Sequence, residues 1–156
     1  MIHSGQEFAR SKVIPLTIPE EDPHKGIIDH NTYDKDNETN YINYNHASIN
    51  SDLLNYYKGL IELRKTSETF RRADHSDVTF FTYKDKPFAL GYSVNYKSEE
   101  FVVLLNADPK FTFEADLPKG EWTILADEHQ AGINSTKTLQ QKVTLNSSTG
   151  MILKKK

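Results

Sequence analysis

Between Asn50 and Lys65, apolar residues recur at helical spacing: Leu53, Tyr56, Tyr57, Leu60, Ile61 and Leu63. The pattern predicts one long helix, with Asn50, Ser51 and Asp52 offering N-cap oxygens at its start. Its apolar face is broad and Gly59 permits close approach, so the helix requires an apolar surface to lie against. From Val78 onward the period changes to two. Phe88, Leu90, Tyr92 and Val94 alternate with Ala89, Gly91 and Ser93, and Phe111 and Phe113 alternate with Thr112 and Glu114, as in half-buried strands. Phe101-Val102-Val103-Leu104-Leu105 is continuously apolar and predicts a central strand covered on both faces. Trp122-Thr123-Ile124, Lys142-Val143-Thr144-Leu145 and Gly150-Met151-Ile152-Leu153 supply further strands.

Turn signals separate these runs at short intervals, at Asp85-Lys86-Pro87, Asn106-Ala107-Asp108-Pro109, Leu117-Pro118-Lys119-Gly120 and Asn146-Ser147-Ser148-Thr149-Gly150. Short connections imply antiparallel strands. The economical way to bury so many alternating faces is to pack two sheets together, so the expected fold is mainly β, an antiparallel β-sandwich of about seven or eight strands. Residues 9 to 50 are different. They are rich in Pro, Asn, Asp and His and poor in periodic apolar pattern, which describes loop; a loop this long is either functional or dependent on a scaffold elsewhere. The chain is therefore expected to divide near residue 70.

Composition narrows the class without naming a chemistry. The 156 residues suit one ordinary domain or a small domain with an appendage, and 37% hydrophobic content is sufficient for a modest core. A net charge of -3 without a basic stripe argues against nucleic acid as a partner. No apolar run approaches the roughly 20 residues needed to span a bilayer, so no membrane is expected either. The absence of cysteine excludes disulfides, thiolate metal sites and a cysteine nucleophile, and leaves the compartment open.

Three motifs carry a family resemblance. His3-Ser4-Gly5-Gln6-Glu7-Phe8 with Arg10 and Lys12 resembles the segment leaving the last strand of a catalytic barrel. Asn31-Thr32-Tyr33, followed by Asn40-Tyr41-Ile42-Asn43-Tyr44, resembles an Asn-Ser-Tyr segment and its following Asn-x-Ile-Asp-Trp segment. Tyr57-Lys58-Gly59-Leu60-Ile61-Glu62-Leu63-Arg64-Lys65 with Phe70-Arg71 resembles the final barrel helix and its exit. Together they resemble the C-terminal part of type I pullulanases, debranching members of the α-amylase superfamily, glycoside hydrolase family 13. Leu117-Pro118-Lys119-Gly120-Glu121-Trp122-Thr123 and the closing Met151-Ile152-Leu153 extend the likeness to the sandwich. Thr32, Asn43 and Tyr44 depart from the Ser, Asp and Trp of the pattern, and position 43 thereby loses an acceptor-only carboxylate.

The resemblance implies residues 1–70 as the end of a (β/α)8 barrel, with its last strand, loop and last helix, and residues 71–156 as a C-terminal sandwich. It implies retaining hydrolysis of α-1,6-glucosidic bonds in a longer enzyme, by two carboxyl groups about 5–5.5 Å apart. Those groups project from earlier barrel strands, so no catalytic residue is expected in this chain, and no metal or cofactor. Asn31, Tyr33 and Asn40 are the expected substrate-binding residues of that longer enzyme. An amide can bond vicinal hydroxyls while an aromatic ring packs on the C–H groups of a sugar. The expected partners are an α-glucan such as pullulan, starch or glycogen, the barrel itself, and a second copy through the helix at 51–66. The alternative is a stand-alone carbohydrate-binding sandwich, which would expose aromatic side chains together on one sheet face.

Other constellations carry less. Asp34-Lys35-Asp36-Asn37-Glu38 alternates acids like a calcium loop, but Thr39 and Asn45 stand where an EF-hand needs Gly and Glu, so it reads as a solvated loop. His24, His30 and His46 lack zinc-type spacing. Ser4 lacks the flanking glycines of a nucleophile elbow, with Ile2 and Gln6 in their places. Trp122 reads as a core residue.

Overall fold

The computed structural model describes residues 2–16, 25–29 and 31–156. The chain forms two compact units, Met1–Asn55 and Tyr56–Lys156. Helices α1 (Asn45–Ile49), α2 (Ser51–Thr66) and α3 (Thr69–Arg72) precede eight strands: β1 (Val78–Phe81), β2 (Ala89–Tyr96), β3 (Glu99–Asn106), β4 (Phe113–Asp116), β5 (Trp122–Ala126), β6 (Thr138–Leu139), β7 (Lys142–Leu145) and β8 (Thr149–Lys155). Six strands form one antiparallel sheet in the order β1-β2-β3-β8-β5-β6, and β4 pairs with β7 in a second. The mainly β sandwich expected from the alternation is the fold observed.

The two sheets meet through one core. Val102 and Leu104 of β3, Leu153 of β8, and Trp122 and Ile124 of β5 pack with Phe113 and Ala115 of β4 and Val143 and Leu145 of β7. Trp122 is fully buried and donates its indole N–H to the Pro118 carbonyl at 2.9 Å, so its one polar atom is satisfied inside the core. The opposite face of the large sheet is covered by helix. Leu63 of α2 clusters with Phe101 and Leu125, and the Phe70 ring lies 4.6 Å from that of Phe101. Covered on both sides, β3 buries Phe101, Val102, Val103 and Leu104 in succession, as its unbroken apolar run implies. A bulge in β5 sets Ile124 and Ala126 against consecutive residues of β8 and adds Leu125 to the helix-side cluster.

Local details correct two sequence expectations. Along β2 and the residue before it the apolar row is not the buried row: Phe88, just ahead of the strand, and Leu90 are exposed while Gly91, Ser93 and Val94 are buried. The absence of a side chain at Gly91 makes room for Tyr83: a Cβ there would stand 2.3 Å from the Tyr83 hydroxyl and displace it. Only at Val94, near the helical cover, does the apolar row become fully buried. The second correction concerns the expected barrel strand. Met1 lies outside the described residues, Ile2 and His3 are in no strand, and Gln6–Phe8 is a turn of 3-10 helix, flanked by Gly5 and Ala9 in left-handed conformations. A strand exists only where a neighbour completes its hydrogen bonds.

In the long helix the stripe turned toward the sheet is Tyr56, Gly59 and Leu63, whereas Ile61 points outward and is exposed. The segment read as loop also contains ordered pieces. Val13 bridges Ile28, α1 forms at Asn45–Ile49, and Asn50, expected as a cap, donates its side-chain amide to the Phe8 carbonyl at 3.0 Å.

Candidate functional site

The three expected substrate-binding residues sit in one polar loop of the first unit. Asp29 Oδ1 accepts the Asn31 amide at 3.0 Å, and Asn31 Oδ1 in turn accepts the Tyr33 amide at 3.4 Å as the chain enters a turn at Tyr33 and Asp34. Such side-chain-to-backbone bonds shape a turn without strand or helix. Between them Thr32 points inward, is buried, and accepts from Lys12 Nζ at 2.6 Å. With Thr32 anchored, its neighbours face solvent: Asn31 is exposed and Tyr33 is 95% exposed.

Asn40 plays a different part. It closes a 3-10 turn at Glu38–Asn40 that is capped by Asn37, whose side chain accepts the Thr39 amide at 3.0 Å. The Asn40 side-chain amide donates to the Thr32 carbonyl at 2.8 Å and to the Lys35 carbonyl, while the main-chain carbonyl of Asn40 accepts from the Arg10 guanidinium. Both N–H bonds go to the loop's own backbone, so Asn40 holds the loop that presents Asn31 and Tyr33. The structure thus brings the three together in one loop but gives only two of them an outward side chain.

Arg10, Lys12, Thr32 and Thr39 were not singled out as functional by sequence. The signal that could have found them is the need of a long Asn- and Asp-rich segment for internal donors and buried acceptors. Tyr41 and Tyr44 are largely exposed, and the Tyr44 ring lies 6.1 Å from that of Phe8. Around Asp34-Lys35-Asp36, Lys35 is ion-paired with Asp29. His24 lies outside the described residues, as does His30.

In the second unit the most strongly perturbed carboxylate serves the fold. Glu99 Oε2 accepts from Ser67 at 2.8 Å and Thr69 at 2.7 Å, and Oε1 accepts from Lys154 at 2.8 Å. Desolvation raises its pKa, but the bonds from Lys154, Thr69 and Ser67 and the Lys154 charge outweigh it and bring the group down to about 2. In the same unit Tyr56 donates to the Asp127 carbonyl at 2.8 Å, and burial, then the Asp127 charge, pushes its phenol up.

No protein-family model matches the sequence. Solved structures do match the fold. A pullulanase from GBS in complex with maltotetraose superposes with a TM-score of 0.75 at 21% identity, covering 98% of this chain and 25% of that one. The type I pullulanase from Bacillus subtilis, complexed with maltose, gives 0.69 at 22% identity over 98% of this chain and 20% of its own. This fold is one that pullulanases contain. An α-amylase from H. orenii gives 0.54 at 16% identity over 76% of this chain and 24% of its own. The chain spans about a fifth to a quarter of the length of the pullulanases it matches.

Proposed function

We propose that this chain is the C-terminal part of an α-glucan debranching glycoside hydrolase, pullulanase-like and retaining, with its acid and nucleophile on other parts of the enzyme. The observation that carries the reading is the coverage: 98% of the chain follows a pullulanase fold at a TM-score of 0.75. In this reading residues 1–70 complete the catalytic barrel and present Asn31 and Tyr33 to the glucan, and residues 71–156 buttress that barrel. Supporting the buttress role, Phe80, Leu90 and Leu105 are exposed on one face of the large sheet, an apolar row of the kind that meets another domain.

The purified chain should release no reducing sugar from pullulan. Turnover that is abolished by substitutions within these residues would overturn the non-catalytic reading. A second reading, a carbohydrate-binding sandwich, is favoured by the pairing of Phe80 with Tyr92 across β1 and β2, their rings 5.7 Å apart. Calorimetric titration with maltotetraose separates the two: saturable binding lost in Phe80→Ala or Tyr92→Ala supports the module, and no binding that depends on this sheet-face pair supports the buttress.

A further inference from the structure

At one end of the large sheet the turns after β1 and β3 enclose a small cleft of about 190 Å³, lined among others by Asp85, Lys86, Phe88, Asp108, Phe111 and Thr112. Two of its walls are aromatic and open to solvent, Phe88 at 54% and Phe111 at 70% exposure. Apolar and aromatic walls with a few polar groups between them are the usual lining of a ligand-binding concavity.

The walls are held from behind. Buried Asn106 donates to the carbonyls of Phe111 and Asn146, each at 2.9 Å, and accepts the Asp108 amide at 3.1 Å. Asp108 Oδ1 accepts the amides of Lys110 and Phe111 at 2.9 and 3.0 Å, and the Ala107 amide donates to the Phe88 carbonyl at 2.9 Å. These bonds fix the backbones carrying both rings relative to one another, so the cleft is preorganised. Asp85 holds a left-handed backbone, φ 58°, at the opposite lip, and among the described residues its carboxylate has no ion-pair partner.

We propose that this cleft is an oligosaccharide-binding site. Its polar lining mixes acceptors, the Asp85 carboxylate and the second oxygen of Asp108, with donors, the Lys86 ammonium and the Thr112 hydroxyl. Opposite charges in one small lining disfavour a strongly anionic or cationic ligand and suit an uncharged ring with many hydroxyls. The aromatic walls supply faces for the C–H groups of such a ring. The sheet-face pair Phe80 and Tyr92 offers rings as well, but its neighbours in the register, Leu90 and Leu105, are apolar and lack hydrogen-bonding side chains. That the sugar is an α-glucan rests on the function proposed above.

The test is a titration of the ¹⁵N-labelled 156-residue chain with maltotetraose and, separately, cellotetraose, followed by amide shifts and calorimetry. Maltotetraose should move the amides of 85–89 and 106–112. Phe111→Ala and Phe88→Ala should each weaken binding roughly tenfold, the loss expected when one ring contact is removed. Both side chains are exposed, so unchanged thermal melts would show that the variants fold. Shifts at this cleft with cellotetraose alone would keep the site and remove the α-glucan reading. Maltotetraose shifts confined to 31–41, or binding lost in Phe80→Ala and retained in Phe111→Ala, would overturn the site. So would the absence of any shift at the cleft.

Discussion

Gly59 lies directly against Ala131: a Cβ built on the glycine would stand 1.8 Å from the Ala131 carbonyl oxygen. This contact, with Tyr56 donating to the Asp127 carbonyl and Leu63 packing on Leu125 and Phe101, seats α2 on β5 and the loop that follows it.

Gly59→Ala should therefore destabilise the protein even though alanine is the better helix former by about 1 kcal/mol. The obstructing atoms belong to backbone, so relief requires moving the helix or the loop, at about 1–3 kcal/mol or more. Urea unfolding followed by Trp122 fluorescence should show a lower midpoint. Ile61→Ala, on the exposed side of the same helix, should change stability by no more than about 0.5 kcal/mol. A raised midpoint for Gly59→Ala would disprove the close seating.

Glu99 makes part of the stability depend on acid. Its folded pKa of about 2 lies below the reference of 4.5, so the contribution is fully present above about pH 4.5 and is lost as pH falls toward 2. Allowing for its partial exposure, the contribution is on the order of 2 kcal/mol. Glu99→Gln should lower the unfolding free energy at pH 7, and the gap from the unmodified chain should close by about pH 2. Denaturant curves at the two pH values measure it; a gap independent of pH would contradict the assignment.

Asn40 and Tyr33, neighbours in one loop, should respond oppositely to truncation. Asn40→Ala removes the two N–H bonds that tie the Thr32 and Lys35 carbonyls together, a loss of about 1–3 kcal/mol in local stability for the pair. Amide exchange at Lys35, which donates to the Thr32 carbonyl at 3.3 Å, should accelerate. Tyr33→Ala should leave that exchange unchanged, because the ring is almost wholly in solvent.

Much of this architecture is legible along the chain. The uninterrupted run at 101–105 foretells a strand covered on both faces, and β3 is so covered from Phe101 to Leu104, with a sheet on one side and helix on the other, while Leu105 is exposed. Trp122 reads as core and is core. The loop around Asn31 and Tyr33 is marked by its composition, but the structural duty of Asn40 is not, because its partners are main-chain carbonyls that carry no residue signature. The same difficulty hides the cleft between Phe88 and Phe111. These residues belong to separate turns, and Phe111 alternates with Phe113 as though it were equally buried, yet it precedes β4 and remains outside.

Side-chain period and turn chemistry set the local features: the positions of the long helix and of the main strands, the turns between them, and the sheet-rich class. Which face each period presents, and to which neighbour, follows from packing instead. In β2 the small residues Gly91 and Ser93 are buried while Leu90 is not, since Tyr83 packs over one side and the helices cover only part of the other. Period two states that a strand has two faces; which face loses water depends on elements distant in the chain, and that information exists only once they have packed.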